Sequence, residues 1–116
     1  MKKIKQFEIW IADLNPRFGT EAGKRRPVCI IQTDLLNNTH PSTIICPITT
    51  KLETEARLLR VHIPKGQAGM NQSCEIMIDQ VRAIDNIRLI KKAGNLSKNL
   101  TSKIKENLAV VFDLIV

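Results

Sequence analysis

The sequence predicts a small, mainly β domain: a twisted antiparallel barrel of five or six short strands with one C-terminal helix packed against it. Three observations carry this. Apolar residues in the first ninety positions alternate or run in short blocks broken by Pro, Gly and Asn, as strands and turns do. In the tail the apolar spacing changes to fours and threes, the period of a helix face. No strand–helix–strand alternation occurs, which leaves antiparallel architecture and places residues 1–116 in one domain without repeats.

Phe7 to Leu14 (FEIWIADL) alternates and stops at Asn15-Pro16, so it reads as a strand ended by a turn. Residues 15–26 hold Pro16, Gly19 and Gly23 among charges and read as a long mobile loop. Pro27 to Thr33 is nearly all apolar, as in a central strand covered on both faces. Pro27 is expected at its entrance because it has no N–H for the ladder. Asp34 is expected to cap a helical turn through Asn38. Thr43 to Thr50 forms the next strand, with Pro47 implying an edge or a bulge. A charged loop (51–57) leads to alternation over Leu59 to Pro64 and a turn at 65–69. Ser73 to Ile84 places Cys74, Ile76 and Ile78 on one face, with Gln80 next in that series, and Glu75, Met77 and Asp79 on the other. A short strand is expected at Leu89 to Lys92. Leu100, Ile104, Leu108, Val111 and Ile115 then mark an amphipathic helix.

Eighteen Lys and Arg against eleven Asp and Glu give a net charge of +7, which favours phosphate-rich or acidic partners. No apolar stretch approaches a membrane span, and the basic start MKKIKQFEIW lacks a signal-peptide pattern, so the expected compartment is the cytoplasm. Cys29, Cys46 and Cys74 stand singly, and His40 and His62 lie in different segments. Metal-ligand spacing is absent, and the cysteines read as reduced core thiols. The sharpest feature is Lys24-Arg25-Arg26, three cations set against Pro27 and a core strand.

Four segments, in order, resemble the MazF/PemK toxins: Trp10 to Pro16 (WIADLNP), Gly19-Thr20-Glu21 with Arg26-Pro27, Cys46-Pro47-Ile48-Thr49, and Asp79 to Asp85 (DQVRAID). Together they span nearly the whole chain. The one departure is Gln6-Phe7-Glu8, where many members have Gly-Asp or Gly-Glu before the first strand. The resemblance implies an SH3-like barrel, a homodimer, and metal-independent, sequence-specific cleavage of single-stranded RNA without a cofactor. It also implies inhibition by a cognate acidic antitoxin, through which alone DNA would be bound.

By the same resemblance Arg26 and Thr49 match the family's catalytic pair, and Glu21 matches its acidic loop residue. Arg17, Thr20, Lys24, Arg25, Asp79 and Gln80 are candidate RNA contacts, and Asp79 is also a lesser catalytic candidate because an arginine that accompanies it elsewhere falls here on Met77. These residue types suit attack by the RNA's own 2′-hydroxyl. That reaction needs charge stabilisation at phosphorus and two proton transfers, but no protein nucleophile. Arginine offers a donor fork, threonine a neutral donor, and Glu21 either accepts the 2′-proton or orients Arg26. Arginine's high pKa points to charge stabilisation before proton transfer.

Each residue also has a plainer reading: solvated loop cations, a strand-end hydroxyl at Thr49, a braced turn at Asp79, a solvent-facing His62 and a core Trp10. Two rival functions are a topoisomerase-binding toxin of the CcdB kind and a basic RNA-binding barrel. The first has no need of Arg26 and Thr49 together. The second is disfavoured by an aromatic content of 3% with no tyrosine, which leaves few bases stacked.

Overall fold

The computed structural model describes residues 2–114. Seven strands come in chain order: β1 (Glu8–Asp13), β2 (Arg25–Ile30), β3 (Ser42–Thr49), β4 (Arg60–Ile63), β5 (Cys74–Met77), β6 (Arg82–Asp85) and β7 (Leu89–Asn95). The helix α1 (Lys98–Val111) follows them. All pairings are antiparallel and run β4–β5–β3–β2–β1–β7, with β6 on β3. This is the mainly β architecture with a terminal helix that the sequence predicts, curled into barrel form without a closing ladder among the described strands.

Alternation in the three central strands fills two cores. Ile9, Cys29, Cys46 and Ile48 point into one, which β4, β5 and fully buried Ile104 of α1 cover. Trp10, Val28, Ile30 and Ile45 point into the other, which Ile4, Ile84 and Leu89 complete. Burial on both faces is why these strands read as near-continuous apolar runs. The three cysteines are free and buried, and burial pushes the thiols of Cys46 and Cys74 up to about 12 and about 11, so they stay neutral. Cys29 moves the same way.

The prolines behave differently from expectation. Pro27 is the third residue of β2, not its entrance: Arg25 and Arg26 already pair with Asp13 and Ala12. Pairing with β3 begins only at Val28, so one flank of Pro27 has no ladder to supply. Pro47 lies in the middle of the sheet rather than at an edge. β3 gives Ser42–Ile45 to β6 and Ile48–Thr49 to β5, and Pro47 occupies the gap where the sheet forks. The turn after β2 is capped by Thr33, whose Oγ1 accepts from Leu35 N, whereas the Asp34 carboxylate accepts from Gln6 N and Asn37 Nδ2.

The single strand expected over Ser73 to Ile84 is two, β5 and β6, parted by a one-turn 3₁₀ helix at Ile78–Gln80. Glu75, which alternation places on the face opposite Cys74 and Ile76, is 2% exposed because β5 is covered on both sides. Helix α1 is capped by Ser97, whose hydroxyl accepts from Leu100 N. Leu100 and Leu108 pack on the first core, but Val111 is exposed, and Ile115 lies outside the described residues.

Candidate active site

The β1–β2 loop is pinned at both ends, not loose as its composition suggests. Leu14 N donates to Lys24 O, Lys24 N to Asn15 Oδ1, and Arg88 Nη1 to the carbonyls of Asp13 and Asn15. Lys24 closes this neck with φ +56°, a left-handed conformation held by those two hydrogen bonds. Farther out, Gln80 spans the loop: its Oε1 accepts from Ala22 N at 3.1 Å and its Nε2 donates to Thr20 O at 3.2 Å. Gln80 therefore braces the loop backbone.

This loop, the ends of β2 and β3, and the start of β4 enclose a cavity of about 560 Å³. Of the residues singled out in sequence, Arg17, Thr20, Glu21, Lys24, Arg26, Thr49 and Gln80 line it. Arg25 and Asp79 do not. Neighbours on a strand face opposite sides, so Arg25 and Arg26 cannot share a cavity. Asp79 sits exposed in the 3₁₀ turn, while Met77 gives the cavity an apolar wall.

Arg26 is half-buried and held by main chain. Its Nε donates to Gly23 O at 2.8 Å and its Nη1 to Ile48 O at 3.4 Å. Glu21 does not orient it. That carboxylate lies 3.6 Å from Arg82 Nη1 instead, at the cavity rim. Among the described residues no carboxylate comes within ion-pair distance of Arg26. Partial burial, and then the charge of Arg17, pull the Arg26 guanidinium below its ordinary value, the sign of a cation short of counter-charge. Thr49 ends β3 facing the same space, and its Oγ1 accepts from Lys51 N at 3.1 Å, which leaves its O–H to donate. The site thus offers a fixed, electrically unbalanced guanidinium and an oriented hydroxyl, groups that suit an anion of phosphate geometry.

Sequence reasoning missed Asn15, Lys51, Glu53 and Arg60, all of which line the cavity. Arg60 reads as one more polar residue of an alternating strand, and only the β4–β5 register opposite Met77 brings it here. Trp10 is core, as expected, with its Nε1 donating to Glu8 Oε1 at 3.0 Å. His62 is largely exposed, and its Nδ1 stands 3.8 Å from Glu75 Oε2.

Comparison with known proteins gives this geometry its context. The family model of PemK-like, MazF-like toxins of type II toxin–antitoxin systems matches residues 5–112. Endoribonuclease EndoA of Bacillus subtilis is 32% identical over 112 residues, 97% of each chain. Among solved structures, MazF from Deinococcus radiodurans superposes with a TM-score of 0.85 at 16% identity, over 98% of this chain and 100% of that one. An endoribonuclease from a mycobacterial species, solved with its cognate antitoxin, superposes at 0.77 and 15% identity, over 100% and 99%. These last two establish likeness of fold alone. With the family model covering nearly all of it, the chain belongs to the PemK-like, MazF-like toxins of type II toxin–antitoxin systems.

Proposed function

We propose that this chain, an endoribonuclease toxin by family, cleaves single-stranded RNA in the cavity between the β1–β2 loop and the end of β3. The observation that carries the assignment is Arg26: a guanidinium fixed by two carbonyls, without a carboxylate partner among the described residues, that lines one cavity with Arg17 and Thr49. A scissile phosphate would restore the charge balance. Charge grows on its non-bridging oxygens as the 2′-oxygen attacks, and Arg26 is preorganised to meet that growth. Thr49 donates a second, neutral hydrogen bond. Glu21 stays the candidate for the 2′-proton because it lines the cavity, with Arg82 Nη1 3.6 Å from its carboxylate. Arg17 and Lys24 draw the RNA backbone in.

The remaining parts of the reading are coarser. A homodimer and a cytoplasmic location fit a basic chain of this size, and no helix among the described residues is long and apolar enough to cross a membrane. An acidic antitoxin segment would suit the cations of the loop, and a solved structural neighbour carries its cognate antitoxin.

Incubating the purified protein with a long single-stranded RNA in EDTA, and identifying the new ends, tests the proposal. A 2′,3′-cyclic phosphate and a 5′-hydroxyl are expected. Arg26→Ala should abolish cleavage, since a transition-state charge donor is worth about 2–4 kcal/mol. Thr49→Ala should cost less, about 1 kcal/mol. A 5′-phosphate product, or a requirement for divalent metal, would overturn the assignment. Intact RNA in the same assay would favour a toxin of the CcdB kind.

A further inference from the structure

A carboxylate lies buried next to the cavity with no part in the chemistry described so far. Glu75, in β5, is 2% exposed, and its Oε1 accepts from Glu53 N at 2.8 Å and from Arg60 Nη1 at 3.3 Å. The same Arg60 nitrogen donates to Lys51 O at 3.2 Å. Lys51 is also the residue whose N–H holds the Thr49 hydroxyl. The segment that follows β3 is therefore tied at three successive backbone groups: Lys51 N to Thr49, Lys51 O to Arg60, and Glu53 N to Glu75.

We propose that the buried Glu75–Arg60 pair positions Thr49, by clamping the peptide groups of Lys51 and Glu53 so that the Thr49 hydroxyl points at the substrate phosphate. Stability alone accounts poorly for such a pair, because a well-packed apolar pair of similar volume is commonly as stable or more so. Placement accounts for it better. The Lys51 N to Thr49 bond is an ST-turn, one of the weaker local turns, and without the clamp little else in the charged loop of residues 51–57 holds it in place. Arg60 is thus a positioning residue that also forms part of the cavity wall. The inference rests on Thr49 being the neutral donor of the proposed reaction.

The test compares cleavage of one mapped RNA substrate by Arg60→Gln, Thr49→Ala, the Thr49→Ala/Arg60→Gln double variant and Arg60→Gln/Glu75→Gln, with melting temperature followed in parallel. If Arg60 acts through Thr49, the kcat lost with it cannot exceed the loss of the hydroxyl itself, about fivefold, while any rise in KM reports separately on Arg60 as a cation of the cavity wall. Adding Arg60→Gln to Thr49→Ala should lower kcat no further. Removing both charges should restore the melting temperature lost in Arg60→Gln, which leaves a buried carboxylate with only Glu53 N and His62 Nδ1 near it, yet leave kcat low. That dissociation is what a merely structural pair would not produce. Should Arg60→Gln fail to fold, Glu75→Gln carries the same tests, because its amide oxygen can still accept from Glu53 N. Wild-type kcat in a folded Arg60→Gln, or an undiminished loss in the Thr49→Ala background, overturns the inference alone. A Thr49→Ala protein of full activity removes the underlying reading and this one with it.

Discussion

Gly23 is where the site is least forgiving. A Cβ there would stand 2.6 Å from Cβ of Arg17 and 3.3 Å from its Cα, so the collision is with the stem of a side chain and with backbone. The Gly23 carbonyl is also the nearer anchor of Arg26. Gly23→Ala should therefore push the loop off Arg17, move that carbonyl and lower kcat by roughly tenfold, and because Gly23 is itself buried the melting temperature should fall as well. Equal kcat in the two proteins would mean that Arg26 finds its geometry without Gly23. Arg26 and Thr49 were legible because the resemblance to the family picked out both positions, and the fold brings both to one cavity. Glu75 was not. Alternation places it opposite Cys74 and Ile76, and nothing local shows that a second layer covers that face of β5 too.

Among elements, the strands were readable because each central one buries both faces, and the helix because its period differs. The loop's order was not readable. Its pins, Gln80 and Arg88, lie about sixty to seventy-five residues away in sequence, and no local signal pairs them with it. Gln80→Ala should free the segment from Thr20 to Ala22, seen as faster proteolysis at Arg17 and Lys24 with an unchanged melting temperature; unchanged proteolysis would show that the neck alone orders the loop. Elsewhere two backbones cross without room for side chains. A Cβ on Gly94 of β7 would collide with the carbonyl oxygen of Ala68, and one on Gly69 with that of Ala93. Gly94→Ala should cost roughly 2–4 kcal/mol, measurable by denaturant unfolding, since neither partner is a flexible side-chain end. Phe7 shows the opposite solution. It takes φ +66° in the turn before β1, and its ring packs on the first core under Lys105 Nζ, 5.6 Å from the ring centroid.

For the molecule as a whole, acid stability turns on the junction of β1 and β7. Glu8 is 7% exposed. Burial alone would push its carboxyl up, yet hydrogen bonds from Trp10 Nε1, Lys5 N and Lys92 Nζ together hold it below the ordinary value of 4.5. Asp34, which joins the N-terminal segment to the turn after β2, is lowered as well, first by Asn37 and then by Gln6 N. A carboxyl with a depressed native pKa binds its proton more tightly in the unfolded chain. Its contribution is complete above the unfolded value and disappears as pH falls through the native one. The melting temperature should thus stay level from neutral pH down to about 5 and decline below about 4.5. Trp10 is the chain's one tryptophan and donates directly to Glu8, so its emission should shift over the same range. Glu8→Gln keeps an acceptor for Trp10 but cannot titrate. It should begin from a lower melting temperature at neutral pH and lose less on acidification than the parent. An acid limb as steep in Glu8→Gln as in the parent would place the titrating group elsewhere.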